Sequence, residues 1–245
     1  MKQALLAIIL GGAALAQTAP KATSSPKTGT APKAAAPAAD LMNPASLNRT
    51  APSIFRVKLA TTKGDIVMEF TRSWAPRGVD RFYNLVRAGF FTDCPFYRVM
   101  PNFMAQFGIS AKPEVNRAWS RANIPDDPRN MQSNKRGKVT FATTGAPGSR
   151  SNTLFINIGD NSYLDNQGFV PIGEVVEGME HVDMLYNGYG DTSTQQFSFE
   201  NGGKAFVDKT YPKLDRILTA TIVPLPSPPA TVAPAPGAPK VGAPK

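Results

Sequence analysis

The chain of 245 residues is 42% hydrophobic and 18% charged, with a net charge of +9, one cysteine and one histidine. A lone Cys94 excludes an intrachain disulfide framework and a cysteine-built zinc site, and His181 by itself leaves metal and triad chemistries without parts. Fourteen of the 23 prolines and six of the basic residues lie in 17–52 and 224–245, so residues 53–223 read as one globular domain of net charge +3 with interleaved charges, which argues against a nucleic-acid partner. No Gly-x-Ser-x-Gly elbow occurs, and the loop Gly145-Ala146-Pro147-Gly148-Ser149-Arg150-Ser151 lacks the Gly-Lys-Ser/Thr ending that cradles phosphate.

Met1-Lys2, the apolar run Ala4 to Ile9 and the ending Ala14-Leu15-Ala16 have the three parts of a secretory signal peptide. The run is too short to span a bilayer, and Gln17 follows the ending. Cleavage after Ala16, with export to the periplasm or beyond, is the expectation. Residues 17–52 and 224–245 are too poor in large apolar groups to offset chain entropy, so both are expected as disordered Pro/Ala-rich spacers available for contact with the cell envelope. In the domain, Phe55, Val57 and Leu59 alternate with Arg56 and Lys58, a turn follows at Thr62-Lys63-Gly64-Asp65, and Ile66, Met68 and Phe70 resume the alternation. That pattern is a β-hairpin. Ala75-Pro76 starts a helix whose face carries Val79, Phe82, Leu85 and Val86, and Gly89 ends it. Strands are expected at Phe96 to Met100, Met104 to Phe107, Val139 to Ala142, Leu154 to Ile158, Val170 to Val176 and Ile217 to Val223, with a short helix around His181. Many short strands and two helices give a mainly β, antiparallel barrel. The polar segment 189–213 is expected as a surface excursion, with a lid or a partner surface as the alternatives.

The stretch Phe96-Tyr97-Arg98-Val99-Met100-Pro101-Asn102-Phe103-Met104-Ala105-Gln106-Phe107-Gly108 resembles the cyclophilin signature F-H-R-[VI]-I-P-x-F-M-x-Q-G-G. Further blocks follow in the family's order. Asn134 to Ala142 is similar to N-x-R-G-x-[IVL]-S-M-A, Asn152 to Ile156 to S-Q-F-F-I, Tyr163 to Asn166 to [WF]-L-D-G, and Ile172 to Met179 to F-G-x-V-x-x-G-M. Ile124-Pro125-Asp126-Asp127 matches the I-x-[DN]-E of a connecting loop. The resemblance covers residues 54 to about 188 and the last strand. It implies a closed eight-stranded barrel capped by two helices, acting as a peptidyl-prolyl cis-trans isomerase without cofactor or metal. Implied partners are proline-containing segments of unfolded or folding exported proteins, met by a monomer with no stable membrane span.

The resemblance also assigns residues. Arg98 takes the catalytic arginine position, Phe103, Met104 and Phe155 the proline pocket, and Leu164 its wall. Gln106 holds substrate backbone or orients Arg98, while Ala142 and Thr143 line the groove for the residue before proline. Read by pattern alone, Phe103, Met104 and Phe155 fit barrel core equally well. Four departures stand out: Tyr97 for a histidine, Phe107-Gly108-Ile109 for a Gly-Gly-Asp-like segment, Thr153 for a substrate-binding glutamine, and Tyr163 for a tryptophan. Phe169 falls opposite a second pocket histidine. Two rival classes remain open here: a proline-binding module without useful turnover, motivated by Thr153 and Phe107, and an envelope protein whose arms carry the function.

Overall fold

The structure, a computed structural model, describes residues 40–129 and 131–226. The leader, residues 17–39 of the first arm and the tail from residue 227 lie outside the described residues. β1 (Ile54–Thr61) and β2 (Gly64–Thr71) form the expected hairpin, with Phe55 opposite Phe70, Val57 opposite Met68 and Leu59 opposite Ile66. Those six side chains face inward and are buried, while Arg56 on the other face donates from Nε to the cross-strand Glu69 Oε2 at 2.9 Å. The period of two thus separates core from solvent.

β3 (Cys94–Pro95), β4 (Arg98–Met100), β5 (Met104–Phe107), β6 (Lys138–Phe141), β7 (Leu154–Asn157), β8 (Pro171–Glu177) and β9 (Arg216–Val223) complete one antiparallel sheet. Its order is β3-β9-β1-β2-β8-β6-β7-β5-β4. The two ends of that order are joined by Phe96-Tyr97 alone, and two residues span at most about 3.6 Å each, so the sheet must roll round to bring them together. The expected count of eight strands becomes nine because Cys94-Pro95, ahead of the expected strand Phe96 to Met100, is a strand of its own, and the expected strand shortens to Arg98–Met100. Cys94-Pro95 pairs with β9 and Arg98–Met100 with β5, and Phe96-Tyr97 turns the corner between them.

Helix α1 (Pro76–Arg87) buries Val79, Phe82, Leu85 and Val86 on the sheet, as its spacing predicts. Its start has no local side-chain cap; Asp127, fifty residues on, accepts the N–H groups of Arg77 at 2.8 Å and Gly78 at 2.9 Å. This satisfies orphan donors and places a negative charge at the positive end of the helix dipole. The helix around His181 is α3 (Met179–Asp183). Two helices were not foreseen: α2 (Pro113–Trp119) and α4 (Gln196–Thr210), the latter kinked at Gly203.

Two expectations are corrected here. Residues 40–52, expected within a disordered arm, pack against the domain. Trp119 Nε1 donates to the Leu41 carbonyl at 2.8 Å, Ala51 N to Asp80 Oδ1 at 2.8 Å, and Leu41 and Leu47 touch the core. Two leucines and these backbone bonds outweigh the polar composition of the arm. The segment 189–213, expected as a surface excursion, builds a second small core. Phe199, Val207 and Leu214 pack with Tyr97 and Ile109 of the barrel. Gly203, with φ of 54°, sits where a Cβ would meet the Ala111 carbonyl oxygen at 2.5 Å, so only glycine allows this approach.

Candidate active site

Arg98, Gln106 and Phe155 stand side by side across β4, β5 and β7, and Thr140 on β6 continues the line. The next line, Val99, Ala105, Ile156 and Val139, belongs to the barrel core. Strand alternation therefore brings Arg98, Gln106 and Phe155 together on the outer face. Beside them lies an apolar cluster separate from the barrel core. Met104, Phe155 and Leu164 form its buried part, with Met100, Phe103, Ala142 and Phe169 packed on it. The Phe155 and Phe169 rings meet edge-to-face at 5.9 Å between centroids. This separation decides what the sequence pattern left open: Phe103, Met104 and Phe155 are not barrel core.

The cluster is held from below by polar groups. Asn161 Nδ2 donates to the Phe103 carbonyl at 2.7 Å, and Ile158 N donates to it at 2.8 Å. Asp165 fixes the 3-10 turn Ser162–Gln167, which carries Leu164, by accepting from Ser133 Oγ at 2.5 Å and from Asn134 N at 2.9 Å and Nδ2 at 2.7 Å. Burial opposes ionisation of Asp165, yet these hydrogen bonds bring its pKa below the ordinary carboxylate value.

Next to the cluster runs a polar cleft of about 420 Å³ lined by Gln106, Ala142, Thr143 and Thr153 and, from α4, by Gln196 and Glu200. All four cleft residues named by sequence thus share one surface. Tyr163 does not join the cluster; it is 55% exposed on the same 3-10 turn as Leu164. Gly108 closes the end of β5 against the cleft wall: with φ of 106° and Asn152 so near, a Cβ would lie 2.2 Å from the Asn152 carbonyl oxygen.

Arg98 has a partner that sequence reasoning missed. Its Nε donates to Asp191 Oδ1 at 2.7 Å and its Nη2 to Asp191 Oδ2 at 3.1 Å, while Nη1 donates to Gln106 Oε1 at 3.3 Å. The guanidinium carbon lies 5.8 Å from the centroid of the Phe103 ring, on the edge of the apolar cluster. Arg98, followed by the Ser193 backbone N–H at 2.9 Å, holds the Asp191 carboxyl down at about 2. A guanidinium has five N–H bonds; with these three engaged, one on each Nη remains for a ligand.

Residues 56–211 match the family described as "Cyclophilin type peptidyl-prolyl cis-trans isomerase/CLD". The chain belongs to this family. Among its curated relatives, the peptidyl-prolyl cis-trans isomerase of Acinetobacter baylyi is 32% identical over 135 residues, spanning 54% of this chain and 71% of that one. Peptidyl-prolyl cis-trans isomerase B of Escherichia coli is 33% identical over 136 residues, 53% of this chain and 82% of that one. The fold is similar to the cyclophilin of Cryptosporidium parvum solved in the presence of the dipeptide Ala-Pro, at a TM-score of 0.52 and 19% identity over 69% of this chain and 99% of that one. It is likewise similar to AquaCyp293 of Hirschia baltica, with a TM-score of 0.52, 17% identity and coverage of 71% and 75%.

Two of this cyclophilin's departures from the family pattern now have a physical account. Tyr97 and Ile109 are both buried under α4, with Tyr97 tilted against Phe199 at 5.6 Å and its hydroxyl 3.5 Å from Gln196 Oε1. Burial pushes the Tyr97 phenol well above its ordinary pKa, so it stays neutral. Phe107 is ordinary core, meeting Phe91 and Phe96 edge-to-face. Asp191, Gln196 and Glu200 lie outside every quoted motif. The available signals were the apolar spacing Phe199, Phe206, Val207 and the glycines at 188 and 190, too sparse for a helix reading across Gly202-Gly203.

Proposed function

We propose that this peptidyl-prolyl cis-trans isomerase turns X-Pro bonds with Arg98 as the catalytic residue, the proline ring seated on Phe103, Met104, Phe155, Leu164 and Phe169. The obstacle is amide resonance, a barrier of about 18–20 kcal/mol that makes uncatalysed X-Pro exchange take tens to hundreds of seconds. No covalent bond need form. As the amide twists, its nitrogen loses conjugation and regains a lone pair, and a donor that bonds this nitrogen favours the twisted state over either planar one. The two remaining N–H bonds of Arg98 supply that donor at the border of the cluster. An apolar socket holds the ring still while the acyl side rotates. Gln106 serves twice, accepting from Arg98 Nη1 and facing the cleft where Ala142, Thr143 and Thr153 meet the residues before proline.

The observation that carries this reading is the juxtaposition of an apolar cluster distinct from the core with a guanidinium that keeps free donors. Two-dimensional NMR exchange on an Ala-Pro peptide tests it. Wild-type protein should give exchange cross-peaks, and Arg98→Ala should lose them at a cost of about 10²–10³ in rate, the size of one oriented donor. Peptide shifts without exchange in the wild type would make the protein a proline-binding module instead. Export is the companion proposal, supported by the three-part leader; the mature N-terminus should be Gln17, and a mature chain beginning at Met1 would remove it. Clients are then exported proteins, with the arms available to the envelope.

A further inference from the structure

The arginine at this site is gripped from outside the barrel. Asp191 precedes α4 and spans the Nε and Nη2 side of the Arg98 guanidinium at 2.7 and 3.1 Å. The next residues repeat the attachment: Thr192 Oγ1 donates to the carbonyl of Tyr97, the residue before Arg98, and Ser193 N bonds back to Asp191 Oδ1 at 2.9 Å. Behind this staple, Phe199, Val207 and Leu214 press on Tyr97 and Ile109, and Lys204 N donates to the Ala111 carbonyl at 2.8 Å. The carboxylate is therefore positioned by a packed core and two backbone-anchored bonds.

We propose that Asp191 is the positioning residue of this isomerase, holding the Arg98 guanidinium by one edge so that its other edge faces the proline. The inference rests on the reading of Arg98 given above. An arginine on a strand surface has several side-chain torsions to sample; a bidentate carboxylate selects one orientation, and planar fork geometry makes that selection specific. Asp191 uses the Nε side, Gln106 takes one Nη1 donor, and the two donors left over, one per Nη, are those the twisted amide needs. Asp191 is not among the residues lining the cleft. Its effect passes through Arg98 and not through contact with substrate.

The test pairs kinetics with a direct view of Arg98. Asp191→Asn keeps the size of the side chain and the acceptor for Ser193 N while removing the charge and half of the fork. In NMR exchange assays kcat should fall about fivefold with KM unchanged, which is about 1 kcal/mol at 1.4 kcal/mol per decade. The ¹⁵Nε–H resonance of Arg98, assigned by its disappearance in Arg98→Ala, should be sharp and shifted in wild type and should collapse to the position of solvent-exposed arginines in Asp191→Asn. An unchanged or raised kcat, or an Arg98 resonance that does not move, overturns the positioning role. If Arg98→Ala itself leaves turnover intact, the reading of Arg98 fails instead, and the two failures are thereby distinguishable.

Discussion

Removing Asp127 should cost this protein more stability than removing any exposed acid, and the structure says how much. The Asp127 side chain is 0% exposed and the side chain of its partner Arg150 is 4% exposed, with Arg150 Nη1 donating to Oδ2 at 2.9 Å. The same carboxylate accepts the first N–H groups of α1 from Arg77 and Gly78. Asp127→Ala leaves the buried guanidinium with only the half-exposed Asp126, 3.3 Å from its Nε, as counter-ion, so the loss falls short of a buried pair broken outright, at about 2 kcal/mol. Two helix-start donors also lose their acceptor, each able to cost about 1 kcal/mol where water cannot reach. A loss of about 4 kcal/mol is therefore expected, or about 8–16 °C in Tm for a domain of this size. The control is Asp65→Asn: Asp65 meets Lys58 Nζ at 2.9 Å, but both side chains are largely in water, so less than about 1 kcal/mol should change. Urea unfolding of both variants, with slopes compared, measures the difference. A loss below about 1 kcal/mol for Asp127→Ala would refute the claim that this buried pair anchors α1 and, through the bridge between Ile124 and Arg150, the cleft loop.

Three further outcomes follow from the same geometry. Glu200 has no cationic partner within 4 Å among the described residues and lines the cleft, its carboxylate accepting from Gln196 Nε2 at 2.9 Å. Peptides with lysine on the amino-terminal side of the X-Pro bond should therefore be turned over up to about fivefold better than those with glutamate, the scale of a solvated pair, and Glu200→Gln should erase the difference in kcat/KM. The depressed pKa of Asp191 fixes the sign of a pH effect: its pairing with Arg98 stabilises the fold fully above the ordinary carboxylate value and is lost as pH falls towards about 2. With Asp191 46% exposed, screening reduces this contribution to about 0.5–1 kcal/mol, read as the difference between wild-type and Asp191→Asn acid-unfolding curves; parallel curves would deny it. Cys94 is fully buried, and burial raises its thiol to about 12, so a thiol reagent at pH 8 should label it only as fast as the protein unfolds. Rapid labelling of the folded protein would contradict the packing of β3.

The parts legible in the sequence are those where one local rule decides. Alternation of Phe55, Val57 and Leu59 against Arg56 and Lys58 has a single solution, a half-buried strand, and the helix from Pro76 carries both its start signal and its apolar stripe. The residues of β4, β5 and β7 proposed as the site are picked out through the family pattern, since period and polarity do not distinguish a buried phenylalanine in the core from one on a separate apolar surface. That distinction is tertiary: Phe155 faces away from Ile156, and only the rolled sheet shows that its face holds Phe103 and Phe169 rather than the α1 helix. What stayed illegible depends on contacts distant in sequence. Asp127 caps a helix fifty residues before it, Leu41 is held by Trp119, and Asp191 reaches Arg98 across 93 positions.

The departures at Tyr97 and Ile109 belong together with α4. A histidine at 97 would place a polar ring, with two nitrogens to satisfy, among Phe199 and Leu214, and an aspartate at 109 would bury a carboxylate among the apolar side chains of that cluster. Either substitution would oppose docking of the helix by several kcal/mol unless a partner were supplied. The apolar seat and the helix are thus one structural unit, and its other end delivers Asp191 to the guanidinium and Glu200 to the cleft. What reads in the signature as erosion of a substrate-binding pattern is, in the folded chain, the foundation of a third wall around the same site. Under the roles proposed for Arg98 and Asp191, this chain carries an apolar seat at 97 and 109 and adds polar side chains at 191, 196 and 200 beside the arginine and the cleft.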